Sequence, residues 1–349
     1  MRFSLGQRNG NAVPARIVGI STHLPESVLT NDELALAFES WGPAKIFEKT
    51  GIMQRHIAAK NETALDLGTA AAEKLMASLG IDGHSIDYLI FCTQAPDYIL
   101  PSSACIMHHR LGLPKSVGAL DITLGCSGFV YGLSLATGLI AGGMAHRVLL
   151  VTADTYSKYI NNGDRSVRTL FGDGAAATLI EGVKDGGPKI GSFVFGTDGS
   201  GAKELIVESG GARLCRSAAT GTEGEDESGN IRSRDNLYMN GGAVMSFTLR
   251  EVPKLFNAVK EKSNITDQKL DYVIMHQANR FMLDALRKKM KIPAEKAPYF
   301  FEDIGNTVSS TIPFVLENMY AKGELNSGKI AVLLGFGVGL SWAGCTIEF

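Results

Sequence analysis

The chain has 349 residues, 45% hydrophobic and 20% charged, with 40 glycines and a formal net charge of −2. That balance excludes a disordered or fibrous chain and fits a turn-rich α/β enzyme with one large or two medium cores. It provides no electrostatic case for nucleic acid or an anionic membrane. The five cysteines (92, 105, 126, 215, 345) form no CxxC pair and no zinc-spaced His/Cys cluster, which predicts reduced thiols in the cytoplasm and no metal centre.

Residues 1–14 read as a polar lead-in without the apolar core of a secretion signal. Ala15 to Ser21 is strand-like, and Thr30-Asn31-Asp32-Glu33 reads as a capped helix start. Glu62 to Leu79 carries apolar residues at helical spacing and stops at Gly80. Asp87 to Thr93 is a buried-strand signal, and Pro101 to Leu111 a helix closed by Gly112. A strand from Ala119 to Thr123 then meets the tight turn Gly125-Cys126-Ser127-Gly128, an uncharged segment from Phe129 to Ala145, and a strand from Val148 to Thr152. The turn 171–174 precedes the apolar run Ala175 to Ile180. Strands alternating with helices predict a mostly parallel sheet covered on both faces.

A cysteine at a strand-to-helix turn faces free backbone N–H groups and a partial positive charge, which favours a low-pKa, nucleophilic thiolate at Cys126. The bland alternative is a small buried apolar residue. The uncharged stretch from Ile122 to Ala145 is long enough to span a membrane, but its scattered Gly, Ser and Thr and the strand that follows favour a helix buried inside a large protein. Residues 209–235 are polar and Gly/Ser-rich, either a loop or flap over a site entrance or an insertion with no role.

The second half restarts the order of the first. The run Asp87 to Ile90 is echoed by Asp271 to Ile274, and Arg147 to Val151 by Lys329 to Leu334, each about 180 residues later. Adding about 180 to Cys126 lands on the turn 304–307 with Asn306, and adding 182 to Gln94 lands on His276. Two copies of one α/β unit, 1–185 and 186–349, would therefore bring Cys126, His276 and Asn306 together at their interface. Singly, His276 could be a satisfied core histidine and Asn306 a helix cap; jointly they suit a thiolate acyl carrier.

Seven blocks in order, TGIMQRHIA (50–58), LPSSACIMHHRLG (100–112), DITLGCSGF (121–129), FGDGAAATLI (171–180), MHQANR (275–280), IGNT (304–307) and GFGVGLSWAG (335–344), resemble the β-ketoacyl-acyl-carrier-protein synthase III group of the thiolase superfamily. The resemblance implies a thiolase-like α/β fold, with two pseudo-repeated halves in five αβαβα layers, and a homodimer. It implies that Cys126 accepts an acyl group from acyl-CoA, with backbone N–H groups of Cys126 and Val338 as the oxyanion hole. His276 and Asn306 then support decarboxylation of malonyl-carrier protein, whose carbanion attacks the thioester, with no permanently bound cofactor. GFGVG is not a dinucleotide fingerprint, because Leu340 takes the third glycine position and no helix can follow before Phe349.

Further positions follow from the same resemblance. Arg165 matches an arginine that stacks on the CoA adenine, and Asn279 a residue near the pantetheine arm. Lys49 stands where the family has arginine, Lys45 where it has tryptophan (Trp41 is displaced), Gly242 for asparagine and Phe281 for arginine. Leu100 matches the position that closes the acyl pocket across the dimer, and its size predicts room for a longer or branched primer. Arg280, Arg287 and Lys288, with Lys291, are expected to form a basic helix face for an acidic carrier protein. The rival readings are a ketosynthase of a specialised pathway with a non-acetyl primer, a thiolase, which would need a second cysteine where Phe336 stands, and a non-catalytic partner subunit, which would lack the nucleophile.

Overall fold

A computed structural model describes residues 13–38, 41–183 and 188–349. Its frame is two mixed sheets. The first contains β1 (Ala15–His23), β2 (Tyr88–Cys92), β3 (Gly118–Ile122), β4 (Arg147–Asp154) and β5 (Gly174–Gly182), in the order β1-β5-β4-β2-β3. The second contains β6 (Ile190–Thr197), β7 (Tyr272–Met275), β8 (Ile330–Gly337) and β9 (Ser341–Glu348), in the order β7-β8-β9-β6. Only β4-β2-β3 and β7-β8 run parallel; β1, β5, β6 and β9 are antiparallel to their neighbours. The expectation of mostly parallel sheets is corrected for a connection reason. A parallel return needs a long crossover, but β8 reaches β9 through Val338, Gly339 and Leu340 alone. Between β4 and β5 lie only turns and short helical pieces.

The order β1-β5-β4-β2 of the first sheet is repeated as β6-β9-β8-β7 in the second. The echoed aspartates do the same job in each copy. Asp87 sends its N–H to the Arg147 carbonyl and accepts the Arg147 N–H on its carboxylate at 2.8 Å. Asp271 sends its N–H to the Ile330 carbonyl and accepts the Ile330 N–H at 2.9 Å. Each carboxylate thus ties the start of one central strand to the next. The expected boundary at 185/186 and most of the lead-in 1–14 lie outside the described residues.

Helices fill three further layers. α1 (Ala64–Leu79) and α2 (Ser103–Arg110) cover the outer face of the first sheet. α4 (Gly241–Ser263) and α5 (Arg280–Lys289) cover the outer face of the second. Between the sheets lie α3 (Gly128–Ala141) and α6 (Thr311–Ala321). Phe129, Val130, Leu133, Ala136 and Ile140 of α3 are buried in a core shared with both sheets. Burial explains the missing charges on that face, whereas Leu135, Gly138 and Ala141 are exposed and nothing in the single chain explains their lack of charge. It ends at Ala141 rather than Ala145, because Gly143 takes a left-handed conformation (φ 69°) that turns the chain. Among the described residues no helix is long and apolar enough to cross a membrane.

Local signals set the remaining ends. Thr63 and Asp66 form a reciprocal capping box at the start of α1, and Gly80 (φ 62°) closes it. Thr30 and Glu33 form the same box on the helix Asn31–Ala37.

Candidate active site

The turn between β3 and α3 holds Cys126, almost fully buried. Its glycines are needed for close approach. A Cβ on Gly128 would lie 2.4 Å from the Cys92 sulfur, and one on Gly125 2.5 Å from Gln94 Oε1. Across the interface between the halves, a Cβ on Gly337 would lie 2.7 Å from Cys126 Cβ and 2.9 Å from its sulfur. The backbone N–H groups of Cys126 and Val338 both interact with the thiol and favour its charged form. Burial and the nearby Asp154 carboxyl outweigh them, and the thiol is pushed up to about 12. This differs from the low-pKa thiolate expected from the turn: the helix N-terminus is present, but burial of the sulfur opposes its charged form more strongly.

His276 follows β7, its N–H bonded to the Leu334 carbonyl at 2.8 Å. Nδ1 lies 2.7 Å from Thr311 Oγ1, and the ring meets Phe336 edge-on at 5.6 Å. Burial pulls the imidazole down to about 3, with a smaller opposing contribution from the Val308 backbone, so it is neutral at physiological pH. Asn306 is held by its N–H on the Leu170 carbonyl and its own carbonyl on the Gly172 N–H. Its Oδ1 accepts the Val308 N–H at 3.0 Å. The amide NH2 is therefore the donor end. Cys126, His276 and Asn306 line one cavity of about 390 Å³, the convergence expected from the repeat.

The same cavity is lined by Lys49, Arg165 and Asn279. Asn279 Oδ1 caps α5 through the Met282 N–H at 2.9 Å. Arg165 lies 5.0 Å over the Trp41 ring and donates from Nη2 to the Ser228 carbonyl at 2.7 Å. Trp41, displaced along the sequence, thus still pairs with Arg165 at the cavity. The stretch 209–235 is a structured flap. Asp226 accepts N–H groups of Ser228 and Asn230 and pairs with Arg232, which also pairs with buried Asp164. Ser228 and Asn230 of this flap line the cavity.

Other expected residues lie apart. Leu100 is 80% exposed and Ile99 89% exposed, outside the cavity of this single chain. Arg280 and Arg287 are engaged by Glu302 and Asp284, while Lys288 is exposed. The three therefore do not form one unpartnered basic face.

Two site residues were missed by sequence reasoning. Asp154 ends β4 beneath Cys126, fully buried, accepting the Gln94 N–H at 2.8 Å and the Ser309 hydroxyl at 2.5 Å. Burial pushes its carboxyl up to about 7. A lone acid closing the apolar run VLLVTA was the available signal. Thr311 bears on His276 but left no local signal. Among the described residues no His, Cys, Asp or Glu cluster could hold a metal ion.

The layered pair of sheets with a Cys-His-Asn cavity between them defines a thiolase-like condensing enzyme. Residues 120–199 match the family described as 3-oxoacyl-[acyl-carrier-protein (ACP)] synthase III, and residues 261–349 its C-terminal part. A β-ketoacyl-[acyl-carrier-protein] synthase III of Caldanaerobacter subterraneus subsp. tengcongensis is 34% identical over 337 residues, 97% of this chain and 98% of the relative. A solved 3-oxoacyl-(acyl-carrier-protein) synthase III is 55% identical, with TM-score 0.94, covering 96% of this chain and all of that one. The structure of the Burkholderia xenovorans LB400 3-oxoacyl-(acyl-carrier protein) synthase is 38% identical, with TM-score 0.88, covering 96% and 94%. The chain belongs to the β-ketoacyl-acyl-carrier-protein synthase III family, and is an acyltransferase of that family.

Proposed function

We propose that the enzyme starts fatty-acid synthesis in two half-reactions at Cys126. The sulfur, once deprotonated, attacks the carbonyl of an acyl-CoA, and the tetrahedral oxyanion is held by the N–H groups of Cys126 and Val338. The C–S bond to CoA breaks, CoA leaves as the thiolate and takes up the proton given up by the Cys126 thiol, and the acyl group stays on Cys126. Malonyl-carrier protein then loses carbon dioxide. The enolate oxygen is met by His276 and by the Asn306 amide, both neutral donors, so no metal or permanently bound cofactor is needed. The carbanion attacks the Cys126 thioester, releasing the thiolate and a 3-oxoacyl-carrier product.

The observation that carries this reading is the convergence of Cys126, His276 and Asn306 in one cavity. The burial that keeps His276 neutral favours hydrogen-bond donation over charge. The Trp41–Arg165 stack supports delivery of the primer on CoA, because a flat cationic and aromatic surface suits a nucleobase. In this reading Asn279 and Lys49, which line the cavity, contact the pantetheine arm, and the carrier protein meets exposed Lys288 together with the acid-paired Arg280 and Arg287. The exposed run Tyr98, Ile99 and Leu100, together with β3, which is paired on one edge only, supports a homodimer in which Leu100 closes the partner's acyl pocket. The two halves divide at 185/186, and the enzyme works in the cytoplasm.

The test is condensation with malonyl-carrier protein across acetyl, branched, long and aromatic primers, each offered on CoA and on carrier protein. The expected result is carbon dioxide release matched by 3-oxoacyl product, with CoA primers preferred and chains longer than acetyl accepted. No product from any primer would reject the reaction. Acceptance of acetyl alone would reject the role given to Leu100.

A further inference from the structure

Thr311 opens α6 against His276, and it is buried. Its Oγ1 lies 2.7 Å from His276 Nδ1 and 3.2 Å from the Val308 carbonyl oxygen. A threonine hydroxyl has one hydrogen to give, so it can satisfy only one of these two acceptors. O–H donors sit about 2.5–3.0 Å from an oxygen acceptor, which makes 3.2 Å a long bond. Nδ1 is the closer of the two partners, and whether it accepts or donates follows from the tautomer of the ring.

We infer that Thr311 is a positioning residue that sets the tautomer of His276. Its hydroxyl donates to Nδ1, so the single proton of the neutral ring sits on Nε2 and is directed to the cavity as a donor. Turned instead to the Val308 carbonyl, the hydroxyl would accept from Nδ1–H, and Nε2 would present a lone pair to the enolate. Two negative ends would then face each other. Since a buried ring nitrogen is rarely left without a partner, the choice made by Thr311 decides whether His276 stabilises decarboxylation or opposes it. The inference rests on the proposed role of His276 as a donor, and it concerns the second half-reaction. Acylation of Cys126, which uses the backbone N–H groups, does not depend on it.

The experiment uses the full-length enzyme labelled with ¹⁵N-histidine. In the wild type the nitrogen spectrum assigned to His276, by its disappearance in His276→Ala, should show the proton on Nε2. Thr311→Val keeps the shape and removes the hydroxyl. It should shift the proton toward Nδ1 and slow carbon dioxide release from malonyl-carrier protein by about five- to tenfold, the value of one hydrogen bond. The Cys126 acyl adduct should still form at near the wild-type rate, and Thr311→Ser should restore both tautomer and rate. A wild-type proton on Nδ1, or wild-type decarboxylation in Thr311→Val, would overturn the inference. The wild-type spectrum needs no variant to fold. Failure of the wild type to form any acyl adduct would instead reject the proposed function and leave the tautomer result standing.

Discussion

At the residue scale, the backbone N–H groups beside Cys126 favour charge on its sulfur but do not offset the burial that raises the thiol. Gly337 positions one of these N–H groups. Its missing side chain lets the β8–β9 turn approach within contact of Cys126, which brings the Val338 N–H onto the sulfur. Gly337→Ala should move that N–H and lower the acylation rate by about 10²-fold or more, the usual cost of losing one oxyanion donor. Stopped-flow release of CoA would read it, and an unchanged rate would show that the Val338 N–H does not matter. Asn306→Ala should cost decarboxylation about 10²–10³-fold while sparing acylation, measured by carbon dioxide release against adduct formation.

Asp154 gives a pH prediction. Its carboxyl titrates near 7 in the folded protein and near 3.8 when exposed, so the native state binds the extra proton between those values. Stability from this group is therefore greatest below about 3.8 and falls as pH rises toward 7. His276, lowered to about 3, acts oppositely below its ordinary value, so the raw curve mixes the two. Comparing urea midpoints of wild type and Asp154→Asn at pH 5 and pH 8 isolates Asp154. The wild type should lose more stability than the variant on going to pH 8, and equal losses would contradict the account.

At the element scale, α3 and the flap carry opposite kinds of information. α3 buries Phe129, Val130, Leu133, Ala136 and Ile140 in the core shared with both sheets, while Leu135 on its other face is exposed. Leu133→Ala should cost about 2–5 kcal/mol through lost burial and the cavity left behind, checked by chemical denaturation. A loss within about 0.5 kcal/mol would place α3 at a surface. This element was legible because absence of charge over a helix length leaves few alternatives. The flap was not: its order comes from Asp226, Arg232 and Asp164 brought together across 68 residues of chain, and polar spacing alone does not announce such pairing. The antiparallel strands were missed for a related reason. The residues of β5 and β9 are as apolar as those of a parallel strand, and direction is set by the short connections before them.

At the scale of the whole molecule, the internal repeat made the site readable. Asp87 and Asp271 mark equivalent strand starts, and that equivalence led to His276 and Asn306 before any contact was visible. What the repeat could not supply was the fine structure between the halves. Thr311 against His276, Asp154 against Ser309 and Gly337 against Cys126 are contacts between residues more than 30 positions apart, with no period to reveal them. The departures at Lys45 and Trp41 show the same limit. Trp41 lines the cavity and pairs with Arg165, a contact that the sequence position alone does not reveal.

The central claim is that Cys126 carries the acyl group. Intact mass after incubation with acyl-CoA tests it most directly. The account predicts one acyl adduct per chain on the wild type and none on Cys126→Ala. No adduct on the wild type, or an equal adduct on the variant, would contradict it.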